Sequence, residues 1–354
     1  MKMKKLALIG LLLVPALLLA GCATGLTASS WPAMTVDAKN VYLAGGPYVY
    51  AVSLETGAQV WRFPDKPSAA NPFYATPVLT PDGGQLIVGG FDKKLYSLDP
   101  QTGKTIWTYT QARDRWIGGV VATDKMIYAP NADYKLYALS LQGSLQWSFE
   151  ADQAIWGTPV TDGTNVYFGT LGRKVYAVNA QTGQQVWMQT LDGAVLGAVM
   201  LGPGNMLYAG TYSGTIYGLN TTDGQNVWSK QATSWIWSGP LLDGTNLYVG
   251  DANGKLFAFP VSGTGQPWTK DLSGAIVGSP VVSGKNLVVG TEAGSVYFVD
   301  LDGKNARPIA ISGKIYATPV VAGPLTLVAP TDGSATLVAL DETGALKWSF
   351  IPPK

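Results

Sequence analysis

Short runs that alternate β-branched or aromatic residues with polar ones recur along the chain, each closed by a glycine-containing turn. Residues 155–190 carry one full unit, IWGTPVTDG-TNVYFGTLGR-KVYAVNAQTG-QQVWMQT, with Asp-Gly, Leu-Gly and Thr-Gly between its runs. A period of two interrupted by such breakers predicts four short strands. Tryptophans four residues after a glycine mark the repeat at Trp61, Trp107, Trp147, Trp187, Trp228, Trp268 and Trp348, with the glycine spacing slipped by one at Trp268. Arg307, four residues after Gly303, fills the remaining place. The spacings are 46, 40, 40, 41, 40, 39 and 41 residues, which makes eight units. The predicted fold is all-β, an eight-bladed β-propeller of four-stranded antiparallel blades forming a single domain over residues 31–352.

Proline recurs in the first run of the unit, at Pro77, Pro159, Pro240, Pro280 and Pro319. A residue without an N–H suits a strand edge, and the innermost strand of a blade has one edge free at the central channel. Blade 1 starts near Trp31 and blade 8 ends near Phe350, each with four runs of its own. With no spare strand to share, the ring is expected to close by packing of blade faces.

The first residues read as an address rather than as structure. Lys2, Lys4 and Lys5 precede an apolar run from Leu6 to Ala20, which ends in Leu19-Ala20-Gly21-Cys22. A basic start, a short apolar stretch and small residues form an export signal, here residues 1–21. The closing tetrapeptide resembles the bacterial lipobox, whose cysteine is acylated and becomes the mature N-terminus. Residues 22–30 are then the acylated Cys22 and a short polar tether. Ala23 in place of an aspartate points to the outer membrane if the owner has one, so the body is expected to be extracytoplasmic and membrane-bound through lipid.

Composition narrows the chemistry. The chain has no histidine, which excludes His-based nucleophile systems, imidazole metal sites and a histidine base. Cys22 is the single cysteine, so intrachain disulfides and thiolate cages are excluded too. Without the three leader lysines the balance is 21 basic against 23 acidic side chains, which gives no general pull on nucleic acid. No metal site or cofactor is expected.

The stretch from Ala177 to Trp187 resembles the A-x-D-x-x-T-G-x-x-x-W docking motif of PQQ-repeat, quinoprotein-like propellers. Similar stretches run from Ala51 to Trp61, Ser97 to Trp107 and Gly218 to Trp228. The resemblance implies that each tryptophan packs over the Thr-Gly turn of the next blade, and that Arg307 leaves a looser joint. An exported lipoprotein of eight bare blades is similar to BamB-type outer-membrane protein assembly factors. That likeness implies a non-catalytic, monomeric scaffold bound to the POTRA domains of a barrel-assembling protein. Quinoprotein dehydrogenases share the repeat but use a cysteine pair or a histidine base, and this chain has neither. Asp251, Asn253 and Glu292 are candidate calcium oxygens that read equally as turn formers.

Partner contacts are expected on the face that carries the D–A and B–C connections, because the opposite turns are monotonous. The connection Pro64–Pro72 is the longest, and basic residues gather on blades 2–4 at Lys93, Lys94, Arg113, Arg115, Lys135, Arg173 and Lys174. Of these, Lys93, Lys94, Arg113, Arg115, Arg173 and Lys174, with Trp116 beside them, form the candidate partner site, expected to dock an acidic or mixed protein surface. Trp31, Tyr74, Trp156, Trp237 and Tyr316 fall at one register of the first strand, with Trp116 and Trp235 nearby. They form a candidate aromatic ring around the funnel, either as inter-blade core or as a platform for a glycan or quinone-like ligand.

Overall fold

The computed structural model describes residues 31–261 and 266–353. The expected export signal, Cys22 and the tether lie outside the described residues. The described chain folds into eight four-stranded sheets, each built from four consecutive antiparallel strands. Blade 1 is β1–β4 (Ala33–Val36, Asn40–Gly45, Tyr48–Ser53, Gln59–Phe63). Blade 4 is β13–β16 (Val160–Thr161, Asn165–Gly169, Lys174–Asn179, Gln185–Thr190), and blade 8 is β29–β32 (Val320–Ala322, Leu325–Val328, Leu337–Leu340, Leu346–Phe350). Blades 2, 3, 5, 6 and 7 span 78–109, 121–150, 200–231, 241–271 and 281–310.

Strands B and C of each blade are buried almost completely, because both sheet faces meet a neighbour. In blade 4, Val166, Phe168, Val175 and Ala177 have no exposed surface. Eight apolar clusters follow, one at every junction between blades. The closing junction brings Met34, Val41, Leu43 and Tyr50 of blade 1 against Leu327, Ala329, Leu337 and Phe350 of blade 8. Among the described residues no strand is exchanged between the two sheets, so face packing closes the ring as the pattern predicts. The prolines sit one residue before their strands rather than inside them: Pro77, Pro159 and Pro319 precede Val78, Val160 and Val320. Their missing N–H is therefore lost from the loop, and no ladder bond is given up.

The repeat tryptophans join neighbouring blades. Trp61, Trp187 and Trp348 donate their indole N–H to the carbonyls of Pro100, Thr221 and Leu54, at 2.9, 2.8 and 2.9 Å. Trp107 and Trp147 do the same to Leu141 and Ala180. Each ring lies on the glycine of the next blade's turn. At Gly183, whose φ is +70°, a Cβ would sit 2.6 Å from the Trp147 ring. Trp268 covers Gly303 in the same way, whereas for Trp228 the corresponding positions, 262–265, lie outside the described residues. Arg307 takes the tryptophan's place in blade 7. Its guanidinium donates to the Thr343 carbonyl and lies 4.9 Å over the Phe298 ring. The joint expected to be loose is therefore bridged, although by an exposed side chain.

Strands C and D shift register beside the motif in blades 1–5 and 8. Blades 6 and 7 pair without that shift. These are the two units in which the glycine-to-tryptophan spacing slips (Trp268) or the tryptophan is replaced (Arg307), so this sequence deviation and the backbone deviation coincide.

Candidate functional site

The first strand of each blade lines a central funnel, and one residue per blade forms its mouth. Trp31, Tyr74, Ile117, Trp156, Leu196, Trp237, Val277 and Tyr316 occupy that ring around a cavity of about 360 Å³. The ring predicted from sequence thus exists, completed by three aliphatic positions. Below it the wall is built of small residues, among them Gly118, Gly157, Gly197, Ser238 and Gly278. Trp31 leans across the mouth, its ring stacked on Tyr316 at 5.3 Å and edge-on to Trp237 at 4.9 Å. Trp235 extends the cluster outward, packed against Trp237 and stacked on the half-exposed Tyr212.

Trp116 does not belong to the mouth or to any exposed surface. It is fully buried between blades 2 and 3, against Tyr109 and Tyr137. Its assignment as a partner anchor is therefore corrected. The reason is parity: Phe73, Trp116, Ile155, Val195, Ile236, Ile276 and Ile315 each precede the ring residue, and all point into an inter-blade junction. Aligning Trp116-Ile117 with Ile155-Trp156 carries this signal in the sequence.

The basic residues of blades 2–4 divide into two groups. Lys94, Lys135 and Lys174 reach Asp92, Glu150 and Asp152 at 3.5, 3.9 and 3.6 Å. Lys93, Arg113, Arg115 and Arg173 are exposed, and among the described residues none of their charged groups forms an ion pair within 4.0 Å. The local acids are engaged elsewhere. Asp133 accepts the Arg113 backbone N–H at 2.8 Å and the Tyr137 hydroxyl at 2.6 Å, and Asp152 accepts from Thr170 at 2.9 Å. Burial and the Asp133 bond raise the Tyr137 hydroxyl well above its ordinary value, which keeps it a donor. Arg115 lies 4.9 Å over the Phe91 ring, and Phe91 packs on Tyr74 with centroids 4.2 Å apart. Arg115 thereby edges a mouth cavity of about 500 Å³ that Tyr74, Ile117 and Trp156 also line. The basic sector and the aromatic ring meet at this residue, a link that separate motifs did not reveal.

On the far side of the mouth, Lys314 Nζ lies 2.8 Å from Glu292 Oε1, which also accepts from the Tyr316 hydroxyl at 3.1 Å. These bonds hold the Glu292 carboxyl below the ordinary range and raise the Lys314 ammonium.

A tricarboxylated quinone such as PQQ would need cations and a calcium cage inside the funnel. The funnel wall carries neither a cation nor a carboxylate. Of the candidate calcium oxygens, Asp251 is fully buried. It accepts from the backbone of Thr233, Asn253 and Lys255 at 3.0, 3.0 and 2.9 Å. Glu292 is held by Lys314, as above, and Asn253 donates to the Thr233 carbonyl. Among the described residues no group of three or more acids, histidines or cysteines could hold a metal. The donor set does not fit the cofactor.

The sequence profile described as "Outer membrane protein assembly factor BamB" matches residues 45–155, 137–263, 232–307 and 264–352, nearly the whole propeller. The chain belongs to this family. A BamB of Nitrosomonas eutropha (strain DSM 101675 / C91 / Nm57) is 30% identical over 106 residues, which cover 30% of this chain and 26% of that relative. The match thus spans about a quarter of the relative's length. The crystal structure of BamB from Moraxella catarrhalis aligns with a TM-score of 0.72 at 18% identity, covering 86% of this chain and 92% of that one. The computationally designed Ika8 protein aligns with a TM-score of 0.74 at 17% identity, covering 88% and 96%. At these identities the likeness concerns fold. A designed protein fits as well as a natural BamB, so the ring by itself assigns no role.

Proposed function

We propose that this BamB-family chain is a non-catalytic, lipid-anchored scaffold of the cell envelope that works in outer-membrane barrel assembly. Its anchor is Cys22, and its partner is the POTRA-bearing barrel-assembling protein. The docking surface is the blade 2–4 sector of the loop face, centred on Arg113, Arg115 and Arg173 with Lys93, Lys94 and Lys174 around them. One observation carries the reading: four exposed cations whose charged groups form no ion pair among the described residues stand on the loops of blades 2–4 of an otherwise balanced molecule. Such a surface suits an acidic or mixed protein face, and Arg is enriched among residues that dominate binding.

The test is charge reversal. Arg115→Glu with Arg173→Glu should weaken binding to the partner's isolated POTRA region severalfold and leave the denaturation midpoint in place. Unchanged binding removes the sector from consideration.

A second reading is favoured by one hydroxyl. Ser238 Oγ in the funnel wall is buried and has no hydrogen-bond partner among the described residues. A ligand hydroxyl or carbonyl entering past Trp237 would satisfy it, with Trp31, Trp156 and Tyr316 as flat walls. Saturable quenching of tryptophan fluorescence by a glycan or quinone supports this reading. No change across a broad panel rejects it.

A further inference from the structure

We infer, resting on the scaffold reading above, that Lys93, Tyr134 and Arg173 hold costly left-handed backbone on three consecutive turns of the loop face because their side chains contact the partner. Tyr134, between the two cations, is the central anchor.

The B–C turns of blades 2–7 share one backbone plan. The same hairpin bond closes each turn, from the Asn131 N–H to the Lys135 carbonyl in blade 3, from Thr170 to Lys174 in blade 4 and from Thr211 to Thr215 in blade 5, all at 2.9 Å. The residue just before the acceptor is left-handed every time. Its φ is +68°, +74° and +68° at Lys93, Tyr134 and Arg173, and +85°, +80° and +78° at Gly214, Gly254 and Gly294. The D–A connection pins that residue in place, since the N–H groups of Ala151, Leu191 and Ala232 donate to the carbonyls of Tyr134, Arg173 and Gly214 at 2.8, 2.7 and 2.8 Å. The fold therefore dictates the conformation, and only the residue type differs between blades.

Glycine is the residue that takes this conformation without penalty, and blades 5–7 use it. There a Cβ would also meet a backbone carbonyl oxygen of the next connection, at 2.6, 2.5 and 2.5 Å for Gly214, Gly254 and Gly294. Blades 2–4 admit a side chain at the same place, but the dihedral cost remains. Five described residues other than glycine have left-handed φ. Two of them, Asn205 and Asp332, are of the types whose short polar side chains tolerate it. The other three are Lys93, Tyr134 and Arg173, all long or bulky, and all at this one turn position in adjacent blades.

Nothing within the propeller offsets that cost. The three side chains are exposed, and among the described residues they make no hydrogen bond, ion pair or ring contact. Backbone strain kept without an internal return points to a contact outside the molecule. Its chemistry follows from the arc the residues form. Two cations flank an aromatic ring, and Arg113 and Arg115 stand on the connection between the first two of these blades. The matching surface is a protein face with an apolar spot for the Tyr134 ring and carboxylates on either side. Tyrosine suits the centre of such a contact, because its ring buries apolar area while its hydroxyl reaches a polar group.

The test sets stability against binding. The full chain is compared with Tyr134→Gly, with Tyr134→Ala, and with a triple variant carrying Lys93→Gly, Tyr134→Gly and Arg173→Gly. Each is denatured in urea and titrated with the isolated POTRA region of the barrel-assembling protein. Glycine removes the left-handed penalty, which exceeds the chain entropy that glycine adds to the unfolded state. Tyr134→Gly and the triple variant should therefore unfold at higher urea than the wild type and yet bind severalfold more weakly, the triple variant weakest. Tyr134→Ala keeps the penalty and loses the ring, so it should bind as weakly as Tyr134→Gly without the rise in midpoint.

A lower midpoint for Tyr134→Gly would show that the ring supports the fold, and overturns the assignment. Undiminished binding by the triple variant, with a wild type that binds, removes these three turns and leaves the scaffold reading standing. A wild type that does not bind the POTRA region overturns that reading and this site together, a pattern distinct from the failure of the turns alone.

Discussion

Replacing Gly183 by alanine and, separately, Gly204 by alanine isolates the contact that holds one blade to the next. Both glycines have φ near +70°. An alanine at either position bears the left-handed cost of about 1–2 kcal/mol. They differ in what surrounds the new methyl group. At Gly204 nothing lies within 4 Å, whereas at Gly183 the methyl would meet the Trp147 ring at 2.6 Å. That separation is impossible, so Trp147 must leave its seat or the turn must move. The Trp147 indole also donates to the Ala180 carbonyl at 3.1 Å, and that bond is lost with the seat. Overpacking of this kind costs about 1–3 kcal/mol beyond the backbone term. Urea denaturation followed by circular dichroism should therefore place Gly183→Ala about 1–3 kcal/mol below Gly204→Ala. Equal losses in the two variants would mean that the tryptophan does not rest on the turn, and the docking account would fail.

Other expectations follow from the same geometry. Trp116→Ala should lower stability by about 3–5 kcal/mol, as expected for a buried aromatic, and Trp116→Phe should retain partner binding; binding lost in a stably folded Trp116→Phe would restore its role as an anchor. Arg307→Ala should cost about 1 kcal/mol or less, because its cation–π contact is exposed, whereas Trp187→Ala should cost about 3–5 kcal/mol; similar losses would contradict the difference between the two joints. In Asp162, burial pushes the carboxyl up, but hydrogen bonds from Asn165, Tyr167 and Thr164 outweigh it and leave it below the ordinary range. Asp37 and Asp243 repeat the arrangement with Tyr42 and Tyr248. Their contribution is full above the unfolded carboxylate value near pH 4 and is lost as pH falls through the depressed folded values. Asp162→Asn should thus destabilise at neutral pH and lose less than the wild type on acidification; an equal acid loss would remove the turn from the account.

The ring was legible because its rules are local. A tryptophan every forty residues or so and a glycine four before it report a docking contact that lies one blade away, at Gly103 for Trp61 and Gly183 for Trp147. Closure without a shared strand was legible for the same reason, since blades 1 and 8 each carry four complete runs. The mouth was harder to read. Position 116 and position 156 both hold tryptophan, yet one enters a junction and the other the funnel, because they differ by one residue in register. Strand parity decides that, and composition does not. The pairing of Lys94, Lys135 and Lys174 with local acids was not legible either, because Asp92, Glu150 and Asp152 reach them across turns and strands. What remained free, Lys93, Arg113, Arg115 and Arg173, emerged only once those pairs were set aside. The four-residue spacing also suggested a weak joint at Arg307, whereas a long cation can span the gap a ring would fill.

The scaffold reading stands or falls on the partner. The acylated chain, captured from gently detergent-solubilised envelopes of its own source, should bring down a POTRA-bearing barrel protein, identified by mass spectrometry. The Arg115→Glu, Arg173→Glu variant should bring down severalfold less. A clean, well-expressed preparation without such a protein would contradict the assembly role.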